Sequence, residues 1–499
     1  MSSNRPGHAN PAHPRHLARS RRDRTRRNRT RRNRTRVITL VLSAAPLLCV
    51  TPAAPALATA GRPTSPASPP ALTLASPVAT PAAAPATTAL PQLDWLIGAS
   101  ARPPISTAEL DQHLTPQLLA AAGGPAGFNQ ALESVGKLSV QQLLLNQPAH
   151  VEAITVSANG VFFADLRTDA PGLISGLGLT PYVASPHTWQ QLDTRLRALA
   201  PEVSFAAMTV GPGGGCHVVH GINAGTARPL GSAFKLYVLG ALGQAVASHH
   251  ASWDEQLAIH QQWKSLPSGV LQNEPPGTEL TLRQYADYMI SISDNTAADH
   301  LIHFLGRGAV QAQLFRFGVQ DPRRDIPFLT TRELFALKSV RYPALAGSYL
   351  ALPPRLRAAA LPGLDRIPLS QLHGWTQPEL INQLEWFASP TDICRAYAGL
   401  WRENAQPGMG AIGDALAIND GGIGLDRTTY PLVWFKGGSE PGVLTVNYLA
   451  RTSTGQLLVS SLMLASPGSA LDQAAIIGEV LALARGGIQL IGVDHGGRP

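Results

Sequence analysis

The lysines are the residues of this chain whose type and setting point most directly to chemistry. The chain has 40 basic residues, and only five of them are lysines. Arginine stays protonated in proteins, so a site that needs an amine able to lose its proton must use lysine. Lys235 lies three residues after Ser232 in an apolar run, and Lys436 precedes two glycines in a β-rich run. These two settings are the first candidates for a reactive site.

Ser232 and Lys235 have the spacing of a nucleophile and its base. Pro229, Leu230 and Gly231 interrupt the preceding segment, and the apolar run that follows predicts a buried helix with Ser232 at its start. Positions i and i+3 share one helix face, so the amine reaches the hydroxyl. Burial lowers the pKa of a lysine, and a neutral amine can accept the serine proton. Ser134 and Lys137 have the same spacing, but Gly136 weakens a helix there and no partner motif follows.

A second candidate motif, Ser293-Asp294-Asn295, lies between two helical patterns, 61 residues after Ser232. A hydroxyl at Ser293 could relay a proton to a leaving group, and the amide of Asn295 could hold a substrate carbonyl. The alternative is a turn followed by a helix cap, which the same three residues support equally well.

The third candidate is Lys436 with Gly437 and Gly438. Glycines in a strand allow another backbone or a ligand to approach closely, and the lysine beside them offers a positive field for a carboxylate. Taken alone, the alternative is a β-bulge with a surface charge.

The three motifs occur in the order S-x-x-K, S-D-N and K-x-G, which is the signature of penicillin-interacting serine enzymes. On these motifs, residues 203 to 490 resemble class A β-lactamases and the wider set of serine hydrolases that share their fold. The resemblance implies an α+β fold of the β-lactamase/transpeptidase type, in which helices flank an antiparallel sheet and form a helical subdomain. No cofactor is predicted.

The resemblance also implies a role for each matching residue. Ser232 is expected to be the acylated nucleophile, Lys235 its base and Ser293 a proton shuttle. Lys436 is expected to steady Ser293 and a substrate carboxylate. The remaining expected contacts with substrate come from Asn295, Gly438 and Ser439, with the N–H groups of Ser232 and Ser439 forming the oxyanion hole.

Two departures from the family pattern affect function. Gly437 stands where a Thr or Ser usually grips the β-lactam carboxylate, although Ser439 could substitute. No E-x-x-L-N stretch supplies the deacylating glutamate. Glu333 lies in the right interval, but its surroundings differ, and an acid at a helix N-terminus is the favoured alternative. We therefore expect acylation to be competent and deacylation to be slow.

The N-terminal region has the pattern of a secretory signal. Residues 1 to 36 contain 13 arginines and one acid, and the apolar run VITLVLSAAPLLCV and two A-x-A sites ending at Ala58 and Ala60 follow. We predict a signal peptide at 1–60 and a secreted or extracytoplasmic protein. The Pro- and Ala-rich residues 61–92 are predicted to be a linker. No other apolar run of 18 residues is evident in the sequence, so no stable membrane span is predicted in the mature protein.

The arginine block also accounts for the net charge of +8, because the rest of the chain holds 27 basic and 31 acidic residues. The mature protein is therefore expected to be mildly acidic and not to bind nucleic acid. Cys216, His217 and His220 lack the spacing of a zinc site, so no metal site is predicted. The sequence leaves open whether Cys216 and Cys394 form a disulfide.

Residues 93–200 predict a small α+β domain ahead of the hydrolase domain at 201–499. STAELDQHLTPQLLAAAG and LSVQQLLL are predicted to be helices, and HVEAITVSA and VFFADL to form a hairpin at Asn159-Gly160. No chemistry is evident there, which favours a packing or positioning role. The region resembles the NTF2-like domain of hydrolases similar to the cephalosporin esterase of clavulanic acid clusters.

The sequence thus predicts a secreted serine hydrolase that forms an acyl-enzyme with β-lactams or related amides and esters. The alternatives are an esterase or D,D-peptidase that β-lactams acylate without efficient turnover, and a non-catalytic protein that binds β-lactams or peptidoglycan fragments. In each case the partner is a small molecule or a peptidoglycan-derived peptide.

Overall fold

The structure is a computed structural model that describes residues 40–43 and 89–495, and side chains from 89 to 492. The predicted cleavage sites and most of the predicted linker lie outside these residues. Helix α1 begins at Ala89, so the last four residues assigned to the linker are helical. Strand β1 lies within the apolar run assigned to the signal peptide.

The chain from 89 onward alternates between helices and antiparallel strands. The helices are α1 Ala89–Ser100, α2 Thr107–His113, α3 Pro116–Ala121, α4 Gly124–Val135, α5 Trp189–Arg197, α6 Lys235–Ala247, α7 Leu282–Ser291, α8 Asn295–Leu305, α9 Arg307–Arg316, α10 Thr331–Ser339, α11 Ala344–Ala351, α12 Pro354–Asp365, α13 Pro390–Asn404, α14 Ala411–Ala417 and α15 Gln473–His495. The strands are β1 Leu40–Ser43, β2 Ser139–Gln147, β3 His150–Ser157, β4 Gly160–Thr168, β5 Ile174–Pro181, β6 Glu202–Val210, β7 Cys216–Ile222, β8 Arg228–Pro229, β9 Gln256–Ala258, β10 Glu279–Thr281, β11 Phe387–Ala388, β12 Leu432–Glu440, β13 Val443–Arg451 and β14 Leu457–Ala465.

The first sheet has the strand order β1-β5-β4-β3-β2, and α1 to α4 cover one face of it with an apolar core of their own. The predicted hairpin is confirmed: β3 and β4 pair throughout, with Ser157 opposite Gly160 across a two-residue turn. The prediction of a helix for LSVQQLLL is wrong, because residues 139–147 form the edge strand β2. Eight apolar and polar residues are too few for their periodicity to separate a helix from a strand.

The second sheet has the order β12-β13-β14-β6-β7, with every neighbouring pair antiparallel. Helices α5 and α15 pack on one face, and α6 and α13 pack on the other. Helices α7 to α12 form a helical subdomain beyond α6, and α14 packs against α7, α13 and β12. The predicted α+β architecture, an antiparallel sheet flanked by helices with a helical subdomain, is confirmed.

Helix α15 corrects one sequence-based expectation. Its residues Gln473–Gly492 are long and apolar enough to cross a membrane, with a mean hydropathy of 1.6. However, 61% of this stretch is buried inside the protein, and Leu483, Ala484 and Ile488 lie in the core against the second sheet. A buried helix of a large core has the same composition as a membrane span, so we interpret α15 as a core helix.

Candidate active site

Ser232 lies at a tight turn that leads into the central helix. A 3-10 turn at Gly231–Phe234 continues directly into α6, which begins at Lys235. Gly231 has a φ of +51°, a conformation that side chains with a Cβ rarely adopt. The predicted buried helix is confirmed, with Ser232 at its start and half-buried. The hydroxyl is therefore held where the chain changes direction, beside the N-terminus of α6.

The amine of Lys235 is fully buried and touches both serines of the predicted site. Its Nζ lies 3.1 Å from Ser232 Oγ, 3.2 Å from Ser293 Oγ and 2.7 Å from Asn295 Oδ1. Burial lowers the pKa of Lys235 to about 7, although the charges of Asp294 and Asp299 act to raise it. A substantial share of the amine is thus neutral near pH 7, and the neutral form has the lone pair that a general base requires.

Ser293 is fixed by the residues on either side of it. It lies between α7 and α8 with a φ of +59°. Asp294 accepts from the backbone N–H of Ala297 at the start of α8 and from Val270 and Leu271 in the neighbouring loop. The turn-and-cap alternative therefore describes Asp294 well, and this same cap presents the Ser293 hydroxyl to the two lysines.

Asn295 contacts protein groups as well as the cleft. Its Oδ1 accepts from Lys235, and its Nδ2 donates to the carbonyl of Leu266 at 3.0 Å. The residue also lines the cleft. In this structure it orients the Lys235 amine, and its contact with a substrate carbonyl stays a prediction.

Lys436 completes a chain of exchangeable protons. Its Nζ is buried, donates to Ser293 Oγ at 2.9 Å and to the carbonyl of Gly437 at 2.9 Å. Burial, and secondarily the charge of Lys235, holds the pKa of Lys436 well below its usual range. The hydroxyl of Ser293 therefore bridges two buried amines, and Ser232, Lys235, Ser293 and Lys436 form one connected chain.

The glycines beside Lys436 do not form a bulge. All nine residues of β12 pair with β13 without a register shift. Gly438 is needed because a Cβ there would lie 2.6 Å from the backbone nitrogen of Ser232. A Cβ on Gly231 would likewise lie 2.6 Å from the backbone nitrogen of Ser439. The two backbone segments expected to form the oxyanion hole thus come into close contact at Gly231 and Gly438.

Packing accounts for the absence of a Thr or Ser at position 437. A Cβ on Gly437 would lie 2.9 Å from the ring of Phe435 and 3.1 Å from the carbonyl oxygen of Thr445. The Phe435 ring lines the cleft and occupies the room that a hydroxyl-bearing side chain needs. Position 437 therefore has no room for a hydroxyl-bearing side chain unless Phe435 moves.

Glu333 is an acid at a helix N-terminus, which is the favoured alternative to a deacylating glutamate. It forms a capping box with Thr330 at the start of α10 and an ion pair with Arg307 at 2.7 Å. It does not belong to the residues that line the cleft around Ser232. The structure thus separates Glu333 from the other candidate residues.

The cleft around Ser232 has a volume of about 430 Å³ and two walls that sequence analysis missed. One comes from the small domain, where Asp165, Arg167 and Gly176 to Gly178 on β4 and β5 line the cleft. The other holds Glu385 and Glu440, with Lys338 paired to Glu440 at 2.6 Å. The rarity of lysine could have drawn attention to Lys338, but no sequence pattern links it to its partners.

Cys216 and Cys394 form a disulfide between β7 and α13, with their Cα atoms 6.2 Å apart. This answers the question that the sequence left open. It also removes Cys216 from the residues that could bind a metal, since a disulfide sulfur has no thiolate to offer.

The middle of the chain is similar in sequence to β-lactamases. Residues 192–344 match the model of the Beta-lactamase enzyme family. This range contains Ser232, Lys235 and Ser293 and ends before Lys436. No curated protein matches the chain. The resemblance of the preceding domain to NTF2-like domains stays a prediction.

Among solved structures, the β-lactamase from Sphaerobacter thermophilus DSM 20745 is similar, with 23% identity, 61% of this chain and 98% of that chain covered, and a TM-score of 0.43. The structure of PBP-A is similar with 15% identity, coverage of 62% and 99%, and a TM-score of 0.40. A β-lactamase from Chitinophaga pinensis DSM 2588 is similar with 17% identity, coverage of 60% and 98%, and a TM-score of 0.41.

Proposed function

We propose that the protein is a serine hydrolase that forms an acyl-enzyme at Ser232 with β-lactams or related amides and esters. The observation that carries the proposal is the buried Lys235 amine, 3.1 Å from Ser232 Oγ and with a pKa near neutrality. Lys235 takes the hydroxyl proton as Ser232 Oγ attacks the carbonyl carbon. The developing oxyanion is stabilised by the N–H groups of Ser232 and Ser439.

The bridge from Lys235 through Ser293 to Lys436 gives the proton a path to the leaving group. Breakage of the amide or ester bond then leaves the acyl group on Ser232 Oγ and a protonated amine or alcohol. Water attacks this ester in a second step and regenerates the hydroxyl. The path needs no group outside the four candidate residues and water.

Intact-mass measurement after incubation with a penicillin or a fluorophosphonate tests the proposal. We expect one adduct on the wild-type protein, none on Ser232→Ala, and an unchanged adduct on the control Ser134→Ala, which alters the other S-x-x-K tetrapeptide. An adduct that persists in Ser232→Ala would exclude Ser232 as the nucleophile.

Hydrolysis of the acyl-enzyme is expected to be slow, because the carboxyl groups that line the cleft are already bound by other protein groups. Those that line it are Asp165, Glu385 and Glu440. Asp165 is bound by His150 and Arg167, Glu385 by backbone N–H groups, and Glu440 by Lys338. Each of the three already has a hydrogen-bond or ion-pair partner, which makes it a poorer base for a deacylating water. With a chromogenic cephalosporin we expect a burst of about one equivalent before a slow steady state, which is the kinetic pattern of accumulating acyl-enzyme.

The same assay separates the alternative functions. Fast turnover of an acetyl ester with a cephalosporin burst favours the esterase, and fast turnover of a D-Ala-D-Ala peptide favours the D,D-peptidase. Binding of a penicillin without any covalent adduct favours the non-catalytic binding protein.

We also propose that the protein is exported. The basis is the arginine block followed by an apolar run and A-x-A sites. N-terminal sequencing of material from the medium or cell envelope is expected to begin near Thr59 or Gly61, and the mature protein is expected not to bind DNA at physiological salt. Exported protein that retains the RRNRTR block contradicts this proposal.

A further inference from the structure

Two buried carboxyl groups lie together in the cleft wall, outside the chain of proton-transferring residues. Glu385 immediately precedes Trp386 and the short strand β11, and Glu440 ends strand β12. Glu385 is 7% exposed as a residue, the side chain of Glu440 is 7% exposed, and the two carboxyl groups are close enough to share a hydrogen bond. A hydrogen bond between two carboxyl groups needs a proton on one of them, and two ionised carboxylates side by side repel each other strongly, so the pair holds a shared proton.

The pair is attached to both backbone segments of the expected oxyanion hole. Glu385 Oε2 accepts from the N–H of Gly231 at 3.1 Å and from the N–H of Trp386 at 2.9 Å. Gly231 directly precedes Ser232, and Glu440 directly follows Ser439. The hydrogen bond between the carboxyl groups therefore connects the segment that carries the Ser232 N–H to the segment that carries the Ser439 N–H.

Lys338 on α10 neutralises the pair. Its buried Nζ donates to both oxygens of Glu440, at 2.6 and 2.8 Å. With one proton on the pair, the two carboxyl groups and the ammonium sum to zero charge. A buried charge without such compensation is costly, so this arrangement is stable only while the proton is present.

We propose that Glu385 and Glu440, with Lys338, are positioning residues that hold the two halves of the oxyanion hole together through a shared proton, and that loss of this proton impairs acylation. The inference rests on the proposed function, because it concerns the rate at which Ser232 is acylated. It assigns the residues no contact with the reacting atoms.

The surroundings of the pair decide the direction of the pH effect. Burial raises the pKa of Glu385 to about 8, and the charge of Glu440 adds to this rise. The other titratable groups around the pair are Lys338, Glu379 and Tyr342, with His373 beyond Glu379. Lys235 and Lys436 donate to Ser293 rather than to the pair. Above a pH of about 8, both carboxyl groups are ionised beside one ammonium. The repulsion between them moves Glu385, and with it the bound Gly231, away from the Ser439 segment.

The test is the pH profile of Ser232 acylation by a fluorophosphonate, measured on the full chain between about pH 6 and 10. Glu385→Gln keeps an oxygen for the Gly231 N–H and gains an N–H₂ group for Glu440, but it has no proton to lose in this range. We expect the wild-type rate to fall above about pH 8, and the variant to lack this fall. At 1.5 pH units above the wild-type pKa the variant is then faster by roughly tenfold or more.

A matched control is Glu403→Gln. Burial raises the pKa of Glu403 to about 7, and its carboxyl accepts from Gln313 away from the cleft. We expect this variant to keep the wild-type fall at alkaline pH. Glu440→Gln serves as the second variant if Glu385→Gln does not fold, as judged by circular dichroism, and we expect it to lack the fall as well.

A wild-type rate that stays on its plateau to pH 10, or an alkaline fall that persists in Glu385→Gln and Glu440→Gln, overturns the inference while Ser232 acylation stands. Absence of any Ser232 adduct in the wild type overturns the proposed function and the inference together. The adduct measurement therefore distinguishes the two failures.

Discussion

At the scale of single residues, the scarcity of lysine was the most informative signal in the sequence. Of the five lysines, only Lys137 is exposed. Lys235 and Lys436 meet at Ser293, Lys338 pairs with Glu440, and Lys264 donates to the carbonyl of Glu274 at 2.6 Å. Most cations of this chain are arginines, and the four buried lysines each make hydrogen bonds or ion pairs inside the protein, where a small ammonium group fits.

The role of Lys235 as a base predicts that Lys235→Arg abolishes rapid acylation. Arginine retains the charge and most of the length but cannot accept the serine proton. General-base catalysis contributes about 10²- to 10⁴-fold, so we expect a loss at least of that size in the rate of adduct formation. Lys137→Arg is the control at an exposed lysine and should leave the rate unchanged.

Far-UV circular dichroism must stay close to that of the wild type in Lys235→Arg, because a bulky buried cation can also unfold the site. A folded Lys235→Arg protein that is acylated within a few-fold of the wild-type rate means that the lysine is structural. The base would then have to be sought at Ser293 and Lys436.

The pH dependence of acylation on its acidic side follows from the same amine. Burial lowers the pKa of Lys235 to about 7, and only the neutral amine accepts a proton. The rate of adduct formation should therefore rise with pH through about 7, and below this value it should fall about tenfold for each unit. A rate that is flat from pH 5 to 8 contradicts the role of Lys235 as the base.

At the scale of elements, the small domain takes part in the cleft although its sequence suggested only packing. Arg167 on β4 lies 3.4 Å from Asp165 and donates to the carbonyl of Ile418 at 3.1 Å, which joins the first sheet to the loop after α14. Its guanidinium is about one third exposed and lines the cleft. Because Lys436 is buried with a lowered pKa, Arg167 is the cleft-lining cation best able to meet a substrate carboxylate.

This placement predicts that Arg167→Ala raises the KM for a carboxylate-bearing substrate by about tenfold, the lower end for a charge-assisted hydrogen bond. The matching neutral ester should change little. Arg102→Ala is the control, since Arg102 belongs to the same domain and pairs with Glu109 outside the cleft. Equal changes for the charged and neutral substrates would mean that Arg167 only supports the wall.

Local elements were predictable wherever one segment contained all the information. The α6 start, the β3-β4 hairpin and the strand around Lys436 depend on neighbouring residues, and each was predicted. The strand β2 was missed because its short apolar run fits either period and its partner β3 decides the outcome. Glu385 and Glu440 meet across 55 residues of chain, a non-local contact that periodicity and spacing do not encode.

At the scale of the whole molecule, besides two small clusters of three buried residues each, three large apolar cores hold the described part of the chain. One lies between the first sheet and α1 to α4, and the other two lie on opposite faces of the second sheet. Polar contacts also tie the first sheet to the rest: the backbone N–H of Arg427 donates to the carbonyl of Leu144 on β2, and the Arg427 guanidinium lies 3.9 Å from the carboxyl of Glu152 on β3. Ser232 and Lys436 lie on elements of the second sheet and its helices, so the geometry of the cleft depends on the stability of this part of the protein.

The disulfide between Cys216 and Cys394 is a covalent contribution to the stability of the second sheet. It links β7, the edge strand of the second sheet, to α13 across 178 residues of chain. Closing a long loop restricts the unfolded chain, so we expect Cys216→Ser/Cys394→Ser to lower the free energy of unfolding by about 2 to 4 kcal/mol. Neither cysteine lines the cleft, so acylation of Ser232 at 25 °C should stay within a few-fold of the wild-type rate.

Urea unfolding with and without a reductant checks this prediction. The reductant should lower the unfolding midpoint of the wild type to that of the double variant and leave the variant itself unchanged, because only the wild type has a bond to lose. A wild-type midpoint that is the same in both conditions, with complete reduction verified by thiol labelling, means that the bond restricts the unfolded chain too little to matter. The hydrophobic cores alone would then account for the stability of the second sheet.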